Sequence, residues 1–222
     1  MAITELQSNN VTSGSGVSSF NFNITGSTAG SLIIVGVHNN FGSTLANTCS
    51  DGANGSYNKD NESLSASRNL DLFTFPGNAG GTLTVTVGAA SSTTFRIVWA
   101  EWAGIVTSSA LDQTQLGASV SSSASSGASN VTTQASELAI GLVGTVASNT
   151  GNFVATGGYT LDQEDSSPRI GLSYLILSST GAQTATFTLS ASNTWACIVA
   201  TYKAATSGAV SPQCGRTIYV LP

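Results

Sequence analysis

The chain has 222 residues and a formal net charge of −5, and only 8% of its residues are charged, against a usual value of about 25%. Its hydrophobic content of 41% is enough to offset chain entropy, which excludes a disordered chain. The six basic residues, Lys59, Lys203, Arg68, Arg96, Arg169 and Arg216, are scattered, so neither nucleic acid nor an anionic membrane is an expected partner.

The first residues are polar and lack the basic-then-apolar order of a secretory signal. No apolar run approaches the roughly 18 residues of a membrane helix. Phe20, Phe22 and Ile24 alternate with Asn21 and Asn23, which predicts a strand with one apolar face. Residues 32–37 are apolar on both faces and predict a central strand. A turn cluster at 76–81 precedes a second alternating strand, with Leu83, Val85 and Val87 against Thr84 and Thr86. Residues 138–143 and 172–177 are again apolar on both faces. After a turn at 178–181, Ala185, Phe187 and Leu189 alternate with Thr186 and Thr188. No segment keeps a helical apolar stripe for three turns.

The order of strands repeats. Thr84-Val-Thr-Val87, a polar turn and Phe95-Arg-Ile-Val-Trp-Ala-Glu-Trp102 return as Thr186-Phe-Thr-Leu189, a turn and Trp195-Ala-Cys-Ile-Val-Ala-Thr-Tyr202. Ser31-Leu-Ile-Ile-Val-Gly-Val37 matches Glu137-Leu-Ala-Ile-Gly-Leu-Val143, and Leu70-Asp-Leu-Phe73 matches Leu172-Ser-Tyr-Leu175. Each half alone exposes an apolar sheet face, so the halves are expected to close a common core. The expected fold is all-β: a jelly-roll-like β-sandwich of two related halves, about 1–108 and 109–204, with a C-terminal extension. An immunoglobulin-like sandwich is the alternative, and a tandem of two small sandwiches is disfavoured because no Pro-rich linker separates the halves. Residues 205–222 read as a linker and a β-prone arm, in which Arg216, Thr217, Ile218, Tyr219 and Val220 are candidates for docking on a partner by strand addition. The other reading of the arm is a last strand folded back on its own domain.

Asp51-Gly-Ala-Asn-Gly-Ser-Tyr57, Phe73-Thr-Phe-Pro-Gly-Asn-Ala-Gly-Gly-Thr-Leu-Thr-Val-Thr-Val87, Trp99-Ala-Glu-Trp-Ala-Gly104, Ser109-Ala-Leu-Asp-Gln-Thr114 and Gly158-Tyr-Thr-Leu161 stand in that order. With the closing Trp195 strand, they resemble a β-sandwich module of tailed-phage structural proteins and large bacterial surface proteins. The resemblance covers about residues 2–204. Relatives usually continue the Glu101 position with Tyr-Ser-Gly, where this chain has Trp102-Ala-Gly104. The resemblance implies a display role and no active site. It points to a virion structural protein of the capsid decoration, cement or fibre type, assembled in the host cytoplasm. Its partner would be a capsid or other virion protein, and it would form a homo-oligomer such as a trimer. The alternative is a carbohydrate-binding or adhesion module on a virion, in the extracellular space or on a cell surface, meeting a host glycan through stacking on Tyr57, Trp99 and Trp102.

No catalytic residue, metal ligand set or cofactor is expected. His38 is the one histidine, and it is expected at the surface or a loop edge. Glu101 lies between Trp99 and Trp102 without a partner acid, and is expected to cap a strand end by bonding backbone or Arg96. Two acidic stretches, Asp51, Asn54, Asp60 and Glu62, and Asp162, Glu164 and Asp165, have oxygen ligands that calcium favours but read as solvated loops. Cys197 is expected in the core, while Cys49 and Cys214 are either free thiols or a pair.

Overall fold

The computed structural model describes residues 2–39, 47–64, 69–167 and 169–206. Nine strands make the first half: β1 (Thr4–Thr12), β2 (Val17–Ser27), β3 (Leu32–Asn39), β4 (Asn47–Asp51), β5 (Gly55–Ser56), β6 (Asn58–Ser63), β7 (Asn69–Pro76), β8 (Gly81–Thr93) and β9 (Phe95–Ala103). They form one sheet in the order β1-β9-β3-β7-β6 and another in the order β2-β8-β4-β5. The chain behaves as a folded ribbon whose arms pair antiparallel, β1 on β9, β2 on β8, β3 on β7 and β4 on β5. The ribbon then wraps so that β9 also meets β3 and β8 also meets β4. That is the jelly-roll pairing, and it differs from the order of an immunoglobulin-like sandwich.

The second half repeats it with β10 (Leu111–Ser125), β11 (Glu137–Thr145), β12 (Val154–Thr156), β13 (Thr160–Glu164), β14 (Ile170–Ile176) and β15 (Thr186–Lys203). Its sheet runs β10-β15-β11-β14-β13, with β12 also on β15. Here β10 does the work of β1 and β2, and β15 that of β8 and β9. Both long strands turn the sandwich corner without a break, at the register jump between Ser121 and Ser123. In the first half the same corner is a loop through Gly16, whose φ of 74° suits only a glycine. Strand register aligns Leu72 with Leu172, since each lies opposite the equivalent residue of its neighbour, Gly36 and Leu142. The sequence match of Leu70 with Leu172 is therefore two residues out of step. A shift of two keeps every side chain on its face, so the apolar pattern could not expose it.

The expected common core exists as one of three interiors. Ile33, Val35, Ile97 and Trp99 face Phe22, Leu83 and Val85 inside the first sandwich. Val143, Cys197 and Val199 face Phe153 and Phe187 inside the second. Between them, Leu32, Ile34, Leu72 and Trp102 on one sheet meet Leu138, Ile140, Leu172 and Tyr202 on the other. One sandwich closed by two halves is thus replaced by two sandwiches welded face to face. Strands β3, β9, β11 and β15 are apolar on both faces because each borders two interiors.

The weld is complementary at its centre. A Cβ on Gly36 would stand 2.4 Å from Leu142 Cδ1, and one on Gly144 would stand 2.8 Å from His38 Cδ2. Register makes Gly36 the counterpart of Leu142, and His38 the counterpart of Gly144. Each large side chain therefore fills the gap left by its own repeat partner. Gly36→Val should cost about 1–3 kcal/mol in chemical unfolding through overpacking. Gly14→Ala, with open space around it, should leave the midpoint unchanged. Equal midpoints for both variants would show that the contact is not tight.

Candidate functional site

Polar side chains gather along the two margins of the weld, and the margins are related by the repeat. On one margin Asn61 Nδ2 donates to Thr114 Oγ1 at 2.7 Å; on the other Gln163 Nε2 donates to Ser8 Oγ at 3.0 Å. Asp60 and Asp162 are the bulged residues of β6 and β13, where the register skips one position. A bulge re-aims its side chain, and here both carboxyls turn toward the opposite half. Asp60 accepts from Tyr202 OH at 2.8 Å and from Thr74 Oγ1 at 2.7 Å. Asp162 accepts from Ser8 Oγ at 2.7 Å and lies beside Glu5, while its second oxygen is buried without a hydrogen bond. Burial, and then the Glu5 carboxylate against the pull of Ser8, push Asp162 up to about 7. Arg96 of the first half forms an ion pair with Asp165 of the second. Asp165 also accepts from Arg169 N at 2.7 Å and Ile170 N at 3.1 Å.

These placements revise the expectations for the acidic stretches. They are structural pins rather than solvated loops. Asp51 accepts from Ala53 N, Asn54 N, Asn54 Nδ2 and Tyr57 OH, all at 2.7–2.8 Å. Asp60 turns to the weld and Glu62 to Lys59. Glu164 accepts from Phe153 N at 2.8 Å. Among the described residues, no three His, Cys, Asp or Glu side chains converge as a metal centre.

Glu101 is fully buried. It accepts from Gln7 Nε2, Thr28 N and Ser31 Oγ at 2.6 Å each and from Ser27 Oγ at 3.1 Å. It bonds backbone, as expected, but its side-chain partners are not Arg96, which reaches across the weld instead. His38 is buried at the weld rather than exposed, and burial followed by the charges of Arg96 and Arg169 pushes it down to about 3, so the ring is neutral. Cys49 and Cys197 are buried free thiols, both raised far above the ordinary range chiefly by burial. Cys214 lies outside the described residues.

The three rings proposed for stacking do not form a platform. Tyr57 and Trp99 are each 6% exposed inside the first sandwich, and Trp102 is 1% exposed at the weld. Trp99 stacks near Phe22 and Trp102 meets Tyr174 edge-on. Trp99 and Trp102 lie on opposite faces of β9, and both faces are interiors. A cleft of about 250 Å³ opens between β4–β5 and β6–β7, lined by Asn47, Cys49, Tyr57, Lys59 and Phe73 among others. Lys59 there bonds Glu62 at 2.6 Å and Asp71 at 3.2 Å, so its charge is already engaged. Asp71 is pushed up to about 6, mainly by burial.

The described residues end at a fixed point. Ala204 bridges Ile105, Ala205 N donates to Gly104 O at 2.8 Å and Ala204 N donates to Ser136 O at 3.2 Å. Gly104 and Ile105 begin the connection between the halves, so the last described residues lie where the two sandwiches join. The docking candidates Arg216, Thr217, Ile218, Tyr219 and Val220 lie outside the described residues.

Comparison with protein-family models, curated proteins and solved structures finds no match.

Two variants test the margins. Asp165→Ala strands the partly buried Arg96 charge and should cost about 3–5 kcal/mol in chemical unfolding; a loss within the scatter of surface substitutions would contradict the pairing. Asp162 has a folded pKa above its ordinary value of 3.8. Between that value and about 7 the folded chain holds more protons than the unfolded one, so stability falls as pH rises through the window. The thermal midpoint of the unmodified chain, relative to Asp162→Asn, should therefore drop between about pH 4 and pH 7. A constant difference would rule out the strained acid pair.

Proposed function

We propose that this chain is a non-enzymatic structural subunit of a virus particle, of the decoration, cement or fibre type on a tailed phage. The body is displayed outward, and the segment after Ala205 docks on a capsid or other virion protein. The observation that carries the reading is the weld: two related jelly-roll halves joined through a shared apolar interior, with the last described residues, Ala204 and Ala205, at the join. Jelly rolls recur in viral capsid and lectin domains, which supports the reading by fold analogy. The resemblance to phage and surface-protein modules points the same way.

The energetics suit a display role. A fully buried Leu or Ile at the weld stabilises by about 1.5–3 kcal/mol, and many such side chains lie there. An exposed ion pair contributes only about 0–1 kcal/mol and weakens with salt. A body held by apolar contact keeps its shape across ionic conditions met outside a cell. Its low charge leaves Ser, Thr and Asn on the outer faces, as with Asn21, Asn23 and Thr84. Assembly would take place in the host cytoplasm, and a closed homo-oligomer, a trimer by analogy, would present several docking segments together.

The test is deletion of residues 207–222. The truncated body should unfold at the midpoint of the full chain, because the weld and all three interiors remain. Its occupancy on purified particles lacking the native subunit should fall by about tenfold or more, as expected for loss of at least 1.4 kcal/mol of docking energy. Full occupancy by the truncated body would refute docking through the tail.

A further inference from the structure

The two halves build the same corner and fill it differently. In the first half the Glu101 carboxylate meets four donors from Gln7, Ser27, Thr28 and Ser31. Strand register puts Thr201 at the place of Glu101 and Glu137 at the place of Ser31. Acid and hydroxyl have thus changed strands in the second half. Glu137 is 0% exposed, yet neither of its oxygens receives a hydrogen bond. The Thr201 hydroxyl and the Gln134 amide are close without closing one. Lys203 stands opposite Glu137 in the register, and among the described residues no ion pair joins them.

A β-bulge completes the difference. The register skips Leu6 in β1 and Asp112 in β10, at equivalent positions. Leu6 points away and is 42% exposed. Asp112 brings a second carboxyl beside Glu137 and is held there by Thr133 N and Thr133 Oγ1, both at 2.6 Å. Where the first half supplies donors to one buried carboxylate, the second supplies another carboxylate. Two such groups at close quarters call for a positive partner.

We propose that the corner formed by Asp112 and Glu137 binds a hard divalent cation of the calcium class, with the Thr201 hydroxyl as a third protein ligand. The donor set is all oxygen, with no imidazole or thiolate, which selects calcium over zinc. With only two carboxylates, affinity belongs at the weak end known for extracellular modules, a Kd of about 10⁻⁴–10⁻³ M. The ion would tie β10, β11 and β15 together beside the join, where Gln134 Nε2 also bonds Ser136 O at 2.7 Å and Ala204 O at 3.3 Å.

The experiment is thermal unfolding of the full chain near pH 8, where free carboxyls are ionised, first stripped with chelator and then with about 10 mM calcium chloride. The midpoint should rise by about 3–10 °C. Glu137→Gln keeps the shape and should abolish the rise. If that variant is poorly folded, Asp112→Asn, at a half-buried position, carries the same comparison. No rise in the unmodified chain, or an equal rise in Asp112→Asn, overturns the site.

Discussion

The structure depends on the apolar contact between two sheets that each already close a sandwich on their other face. Leu142 fits over Gly36 and His38 fits over Gly144, so the two central strands approach closely enough to exclude water. Around that centre lie Leu32, Ile34, Ile140, Leu172, Trp102 and Tyr202. Because a buried aliphatic side chain outweighs an exposed ion pair, the polar margins orient the halves rather than hold them. Removing the contact would leave each jelly roll with a bare apolar face, a known aggregation hazard.

Duplication explains the polar margins as well as the core. Contacts are reciprocal: β6 touches β10 as β13 touches β1. The same backbone frame carries different chemistry on its two sides. Asp60 meets two hydroxyls, whereas its counterpart Asp162 meets one hydroxyl and Glu5. Glu101 meets four donors, whereas Glu137, in the matching corner, meets Asp112. One half therefore serves as a control for the other, and departures from the repeat mark the places where a proton or an ion has something to do.

The described chain ends at the seam, where Ala204 bridges Ile105 and Ala205 N donates to Gly104 O. The carboxylates that might have supported catalysis are engaged in holding strands and loops: Asp51 in its turn, Asp165 across the weld, Glu101 at its corner. Tyr57, Trp99 and Trp102 likewise fill interiors.

The all-β class, the most apolar strands and the ordered match between the halves were legible in the sequence, whereas polar strands such as β1, β6, β10 and β13 were not. Alternation of period two and runs apolar on both faces are local signals that survive without a partner strand. Even the sign that β3 and β11 border two interiors was present, although it read as a central strand of one sandwich. Tertiary structure alone decided the layering, the two-residue offset of Leu72 against Leu172, and the bulges at Leu6, Asp60, Asp112 and Asp162. A bulge exists only relative to the strand it pairs with, and a face is buried only relative to what covers it. The meeting of Asp112 with Glu137, distant in sequence and joined by register, could come from nowhere else.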